Sequence, residues 1–148
     1  MRLAIAGMQG FHHVSRLEPE AADLLNDKVW SFVFRTLDYA NAHRPIAKVF
    51  LIDGKSPVTN AVIGWCEHSG VYYTTHVATY QGSDAARGRS AAMRNRRMFK
   101  DNNIDTVITF TYGDLSKDAA ANLLHEIGNR FQPETFHNFD VITETREF

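Results

Sequence analysis

Ala47-Lys48-Val49-Phe50-Leu51-Ile52-Asp53-Gly54-Lys55-Ser56-Pro57-Val58-Thr59-Asn60-Ala61-Val62-Ile63-Gly64-Trp65 is the stretch from which the fold is read. Its first six residues form an apolar run suited to a buried strand, and Asp53-Gly54 stops it. Ser56 then offers a capping hydroxyl and Pro57 a first-turn proline, while Val58, Ala61, Val62 and Trp65 recur at i, i+3, i+4 and i+7. Gly70 stands where a left-handed cap would close that helix. Val71 to Val77 supplies β-branched and aromatic residues for another strand. Strand, glycine turn, helix and strand in this order imply parallel pairing, because parallel neighbours need a crossover connection.

The same grammar extends in both directions. Upstream, Arg2 to Ala6 reads as a short buried strand ending at Gly7, followed by a loop through Gly10-Phe11-His12-His13. Glu18-Pro19-Glu20 has the proline and acids of a helix start. Trp30, Val33, Phe34 and Leu37 form the helical face expected to cover the sheet, with an end near His43-Arg44-Pro45. Downstream, a basic helix precedes the strand in Ile104-Asp105-Thr106-Val107-Ile108-Thr109-Phe110, and Ala120, Leu123, Leu124 and Ile127 mark a further amphipathic helix. A last strand is expected around Phe139 to Ile142. The expectation is an α/β fold over residues 1–148, a single three-layer domain with a mostly parallel sheet and helices on both faces.

Composition bounds the function. The 148 residues are 44% hydrophobic and include ten Phe, enough for one ordinary core. One cysteine, Cys66, excludes an internal disulfide framework and reads as a buried, inert thiol beside Trp65. No stretch approaches the roughly 18 apolar residues of a membrane span. The apolar run after Met1 is too short for a secretion signal, so a cytoplasmic setting is expected. The formal net charge of -1 gives no global attraction to nucleic acid. Against it stands one local cluster, Arg87, Arg89, Arg94, Arg96, Arg97 and Lys100, which points to an anion site.

Ligands of open parallel sheets bind outside the carboxyl ends of the strands, where loops meet helix N-termini. Three turns take that position. Gly7-Met8-Gln9-Gly10-Phe11 allows close backbone approach but lacks the third glycine of the dinucleotide fingerprint, and equally reads as a turn serving only the fold. Gly54-Lys55-Ser56 combines a glycine, a cation and a hydroxyl before free helix amides, which suits a phosphate; the alternative is a plain cap with a solvated lysine. Tyr112 and Gly113 lead to Ser116 and Lys117, where the phenol ring would stack on a base or simply lie half-buried beside the sheet. Arg94 and Asn95 present a guanidinium fork and an amide to phosphate or sugar oxygens. Asn95 is poorly suited to a helix interior and needs a reason there. The other cations of that helix cannot all face one ligand. His12, His13, His76 and His125 show no metal-ligand spacing, so no metal site and no cofactor is expected.

Arg94-Asn95-Arg96-Arg97-Met98, preceded by Gly88-Arg89-Ser90-Ala91, resembles the Arg-Asn-x-x-Met helix of the SLOG superfamily of Rossmann-like nucleotide-binding proteins, in its small YspA-like branch. Gly7 and Phe11 match that branch's first loop, Gly54 its second, Trp65 a tryptophan of the following helix and Gly113 its fourth loop. The resemblance implies a nucleotide or nucleotide-derived ligand, a homo-oligomer, and a setting such as the sensors of bacterial and phage conflict systems. The chain departs from the family at Asp53-Gly54-Lys55-Ser56-Pro57, where a glycine-rich loop is expected, at Asn60 in place of aspartate, and at Ser116 in place of threonine. The related LOG enzymes release the base from nucleoside monophosphates and carry a glutamate after their glycine-rich turn; here Asp118 and Ala119 follow, with no glutamate until Glu126. Binding without turnover, with no catalytic residue, is therefore the expectation. The alternatives are an unconventional phosphoribohydrolase using Asp84, Asp114 or Asp118, and a DprA-like nucleic-acid module using Arg87 to Lys100.

Overall fold

The computed structural model describes residues 1–7, 19–52, 57–76, 84–111 and 135–140. In chain order these form β1 (Arg2–Gly7), α1 (Pro19–His43), β2 (Lys48–Ile52), α2 (Pro57–Ser69), β3 (Tyr72–His76), α3 (Asp84–Asn102), β4 (Thr106–Thr111) and β5 (Thr135–Asp140). The five strands make one sheet in the order β3-β2-β1-β4-β5. Each neighbouring pair is parallel, with Ala4 opposite Phe50 on one side of β1 and opposite Val107 on the other.

The chain moves outward from β1 to β2 to β3, then returns past β1 to reach β4. Crossovers keep one hand, so reversing the direction of travel sends the connecting helix to the opposite face. The core divides accordingly. Leu3, Ile5, Val49, Leu51, Ile108 and Phe110 pack with α1 and α2 on one face. Ala4, Ala6, Phe50, Ile52 and Val107 meet Met98 of α3 on the other. This is the expected three-layer, Rossmann-like arrangement, and the strand pairs are parallel throughout.

The stripe that α1 turns to the sheet differs from the expected one. Val29, Phe32, Val33 and Leu37 are buried there, with Phe32 edge-on to Phe110 at 5.9 Å between ring centroids. Trp30 is 39% exposed. It stacks on Phe34 at 5.7 Å and lies against α2, where a Cβ on Gly64 would come within 2.6 Å of its ring. Trp30 and Phe34 therefore serve the helix–helix seam, about one residue step around the helix from the sheet-facing stripe, and Gly64 is the notch that admits the indole. Trp65 crosses the same seam fully buried, its Nε1–H donating to Asp38 Oδ1 at 2.8 Å.

The expected face of α2 holds, with Val58, Ala61, Val62 and Trp65 all buried. Gly70 has φ +69°, and the Val71 N–H donates to the Cys66 carbonyl, closing α2 as a left-handed Schellman cap. The final strand lies earlier than expected, at Thr135–Asp140 rather than Phe139 to Ile142. Its register against β4 runs from Thr106 opposite Thr135 to Thr111 opposite Asp140, and Val141 and Ile142 lie outside the described residues. The expected helix over Ala120 to Ile127 is also outside them. No helix among the described residues is long and apolar enough to cross a membrane.

Asp105 ties the amino ends of β1 and β4 together. Its carboxylate accepts from the Arg2 backbone N–H at 3.1 Å, from Thr106 Oγ1 at 2.7 Å and from Arg44 Nη2 at 3.4 Å. Partial burial alone would raise its pKa, but Thr106, the Arg2 amide, Arg44 and the α-amino group together hold it below the ordinary carboxylate value. The folded pKa thus lies under the unfolded value of about 3.9, so the stabilisation is complete above that pH and disappears as pH falls through the folded value. Asp105→Asn is expected to lower the melting temperature at pH 7 by several degrees, and thermal unfolding across a pH series should show the difference from the parent closing below about pH 4. A difference that persists unchanged at acid pH would assign the effect to packing rather than charge.

Candidate anion site on the α3 face

The strands of a parallel sheet all end at one edge, and here Gly7, Ile52, His76 and Thr111 close β1 to β4 there. Gly7 lies opposite Phe110 across the β1–β4 pair, where the direction of travel reverses. Of the residues expected at the site, Met8, Gln9, Gly10, Phe11, Gly54, Lys55, Ser56, Tyr112, Gly113, Ser116 and Lys117 lie outside the described residues. Gly7, Arg94 and Asn95 lie within them, as do the neighbouring cations of α3.

On α3, Asn95 and Met98 are one turn apart and turned to the sheet, 0% and 1% exposed. Arg96, Arg97 and Lys100 are exposed on the outer side, with Met93 among them, as expected for cations that cannot share one ligand. Arg94 is half-buried at the flank. Its Nε–H donates to Asn95 Oδ1 at 3.1 Å. A guanidinium has only donors, so this bond fixes which end of the amide faces it. The Asn95 Nδ2 is left buried with no hydrogen-bond partner among the described residues.

Other polar side chains in comparable positions are satisfied. Asn102 Nδ2 donates to the Met98 carbonyl at 2.8 Å and Thr36 Oγ1 to the Phe32 carbonyl at 2.8 Å. Leaving a buried donor unpaired costs about 1–3 kcal/mol, so the Asn95 amide is a standing request for an acceptor.

A second group of polar side chains shares this face. Phe50 packs toward α3, and the register places Thr74 opposite Phe50 and His76 opposite Ile52, so both β3 residues project to the same side. His76 Nε2 lies 2.9 Å from Thr74 Oγ1, and its ring centroid is 6.0 Å from that of Phe50. Lys48 Nζ and Arg2 Cζ each sit 5.0 Å from the Phe50 centroid. Burial, then Lys48, then Arg94 hold the His76 imidazole below its ordinary pKa. The face is thus a basic one, with Arg94 near enough to His76 to act on its charge.

From sequence, His76 reads only as one of four dispersed histidines without metal-ligand spacing. The signal for its present position is the alternation Tyr72, Thr74, His76 opposite Tyr73, which packs against the α1–α2 core. Among the described residues no group of three or more His, Cys, Asp and Glu could hold a metal ion. Cys66 is buried, and burial followed by Glu67 pushes its thiol up to about 12, which suppresses thiolate chemistry.

Asn95→Leu removes the unpaired donors while keeping a side chain of similar size. At a satisfied buried asparagine such a change is destabilising; here the ligand-free variant is expected to melt no lower than the parent, and up to a few degrees higher, since each kcal/mol moves the transition by about 2–4 °C in a chain of this size. Calorimetry of the two proteins checks this. A drop of more than about 5 °C would mean that Asn95 is a satisfied structural residue.

No protein-family model, curated protein or solved structure matches the chain.

Proposed function

We propose that the chain binds a nucleotide or nucleotide-derived signalling molecule at the carboxyl edge of its parallel sheet and does not turn it over. The observation that carries this reading is the buried Asn95 amide, oriented by Arg94 and lacking an acceptor among the described residues. An oxygen-rich anionic ligand would supply that acceptor and meet the guanidinium in the same step. Support comes from the strand order, whose reversal at β1 and β4 opens the crevice where open α/β sheets bind ligands. The SLOG resemblance rests on its motifs alone, and these divide sensibly: Met98 anchors the helix in the core, Asn95 offers the amide and Arg94 the charge.

In this reading the turns Gly7, Met8, Gln9, Gly10 and Phe11, then Gly54, Lys55 and Ser56, and finally Tyr112, Gly113, Ser116 and Lys117 complete the ligand shell. The working context is a cytoplasmic homo-oligomer of the kind used as a sensor, including in phage conflict. Nucleic acid is disfavoured because the formal net charge of -1 gives no global attraction to a polyanion. Turnover is disfavoured because the glutamate of the LOG pattern has no counterpart before Glu126.

A panel of nucleoside monophosphates, dinucleotides and cyclic ADP-ribose-type compounds tests the proposal by thermal shift. A ligand at 100 times its dissociation constant adds about 2.7 kcal/mol to stability. Arg94→Lys keeps the charge but removes the planar fork, and is expected to weaken binding by about tenfold or more, whereas Arg97→Lys should leave it unchanged. Equal losses in the two variants would reduce the site to diffuse charge, and release of free base from any panel member would replace binding by hydrolysis.

A further inference from the structure

We infer that His76 joins Arg94 and Asn95 in a proton-gated oxyanion site, in which the imidazole receives the ligand in its protonated form. The inference rests on the anion-binding reading above and extends it to a residue outside the Arg-Asn-x-x-Met helix. Three features bring His76 into the site. Its position at the end of β3 places it at the carboxyl edge, and strand alternation turns it toward the α3 face. Thr74 Oγ1, 2.9 Å from Nε2, engages that end of the ring. The third feature is the cluster beside the ring: Phe50, 6.0 Å from the His76 ring centroid, packs with Met98, one helical turn from Asn95, whose Oδ1 accepts from Arg94 Nε. After burial and Lys48, the charge of Arg94 is among the causes that lower the His76 pKa.

The described side chains that meet His76 or act on its charge are a hydroxyl, an aromatic ring and two cations. Thr74 contributes a hydroxyl from β3, Phe50 a ring and Lys48 an ammonium from β2, and Arg94 a guanidinium from α3. Among the residues whose side chains are described, burial, Lys48 and Arg94 lower the ring's pKa. In the free protein the cations and burial therefore keep the ring neutral at physiological pH. A dianion placed between Arg94 and His76 reverses the balance. It screens the guanidinium and attracts a proton to the ring, after which Nε2–H donates to Thr74 and Nδ1–H donates to a ligand oxygen. The bound state thus holds one more proton than the free state, taken from solvent.

The sign follows from linkage. The free-state pKa is depressed and the bound-state pKa is raised, so between the two values binding is accompanied by proton uptake and weakens as pH rises. The change in affinity is about tenfold for each pKa unit by which the anion moves the ring. Such a site favours a doubly charged terminal phosphate over a singly charged diester, because only the former balances two cations. Lys48 adds to this preference through its own charge near the ring.

The test uses sulfate and 5′-AMP on the full chain. Sulfate stays a dianion between pH 5 and 8, so pH dependence in its binding belongs to the protein. Long-range nitrogen–proton spectra of the labelled chain follow the His76 ring through a pH titration with and without each anion. The expected result is an upward move of the His76 titration by one unit or more, and sulfate binding about tenfold tighter at pH 5.5 than at pH 7.5. His76→Gln, which keeps a hydrogen-bonding side chain but cannot titrate, should bind sulfate with no pH dependence. Binding that shifts other resonances while His76 titrates unchanged overturns this inference and leaves the nucleotide reading intact. Failure of both anions to bind at any pH overturns both. Tighter binding of 3′,5′-cyclic AMP than of 5′-AMP at pH 7.5, where the 5′-phosphate is mostly a dianion, also overturns the dianion preference and with it the proton gate.

Discussion

Ala4 and Ala6 set how closely α3 can lie over the middle of the sheet, and both the packing and the candidate site depend on that approach. β1 is the central strand and has no exposed face, so each of its residues must meet a helix on one side or the other. Leu3 and Ile5 meet α1 and α2, which bring large apolar side chains of their own. On the reverse face Ala4 and Ala6 present only methyl groups, and Met98 reaches down to them. A bulkier pair at positions 4 and 6 would lift α3 by the size of the added groups, because close-packed interiors have no slack to absorb them. A lifted helix would expose Asn95, hydrate its amide and remove the demand for an acceptor.

The reversal at β1 supplies the other half of the arrangement. With crossovers of one hand, a chain that returned on the same side of β1 would keep every helix on one face and open no crevice. By crossing to β4 it places α3 alone, among the described helices, over the face that carries Phe50, Thr74 and His76. That face is lightly anchored by apolar contact: Met98 is its one fully buried apolar helix residue among those described, whereas α1 commits Val29, Phe32, Val33 and Leu37 to the opposite side. The strongly apolar side secures the fold. The other side has room for polar groups whose arrangement costs stability.

The alternation of strands and helices was legible in the sequence because each unit ends on local chemistry. Gly70 at a positive φ and Val58, Ala61, Val62 and Trp65 on one stripe depend on little beyond neighbours in the chain. The stripe of α1 was displaced because Trp30 and Phe34 are as apolar as Val29 and Phe32; only the presence of Gly64 on another helix decides which pair faces the sheet and which the seam. The start of β5 was missed for a similar reason. Pairing with β4 favours Thr135–Asp140, and that register is a long-range fact invisible in local hydropathy. Within the site, the oddity of Asn95 in a helix interior was readable, and its burial gives that oddity a physical meaning. The place of His76 on the α3 face was not legible in the sequence, because it depends on strand parity and on the pairing of β3 with β2, neither of which appears as a spacing along the chain.

Two kinds of electrostatics meet on α3, and the helical repeat separates them. At about 100° per residue, Asn95 and Met98 fall on the inner side, Arg94 on the flank, and Arg96, Arg97 and Lys100 outward. The outward cations stand in solvent, where their field fades over a Debye length of about 8 Å at physiological ionic strength. They raise the local concentration of anions without choosing among them. Arg94 and Asn95 act at hydrogen-bond range, with the guanidinium fixing the amide and the amide fixing the guanidinium. Under the proposed anion binding, selectivity therefore has to come from the inner pair. In the proposed site the cost of an Nδ2 without a partner among the described residues is borne in the free protein, so a ligand that satisfies it would gain that free energy on binding without a comparable ordering cost, the amide being already held by Arg94.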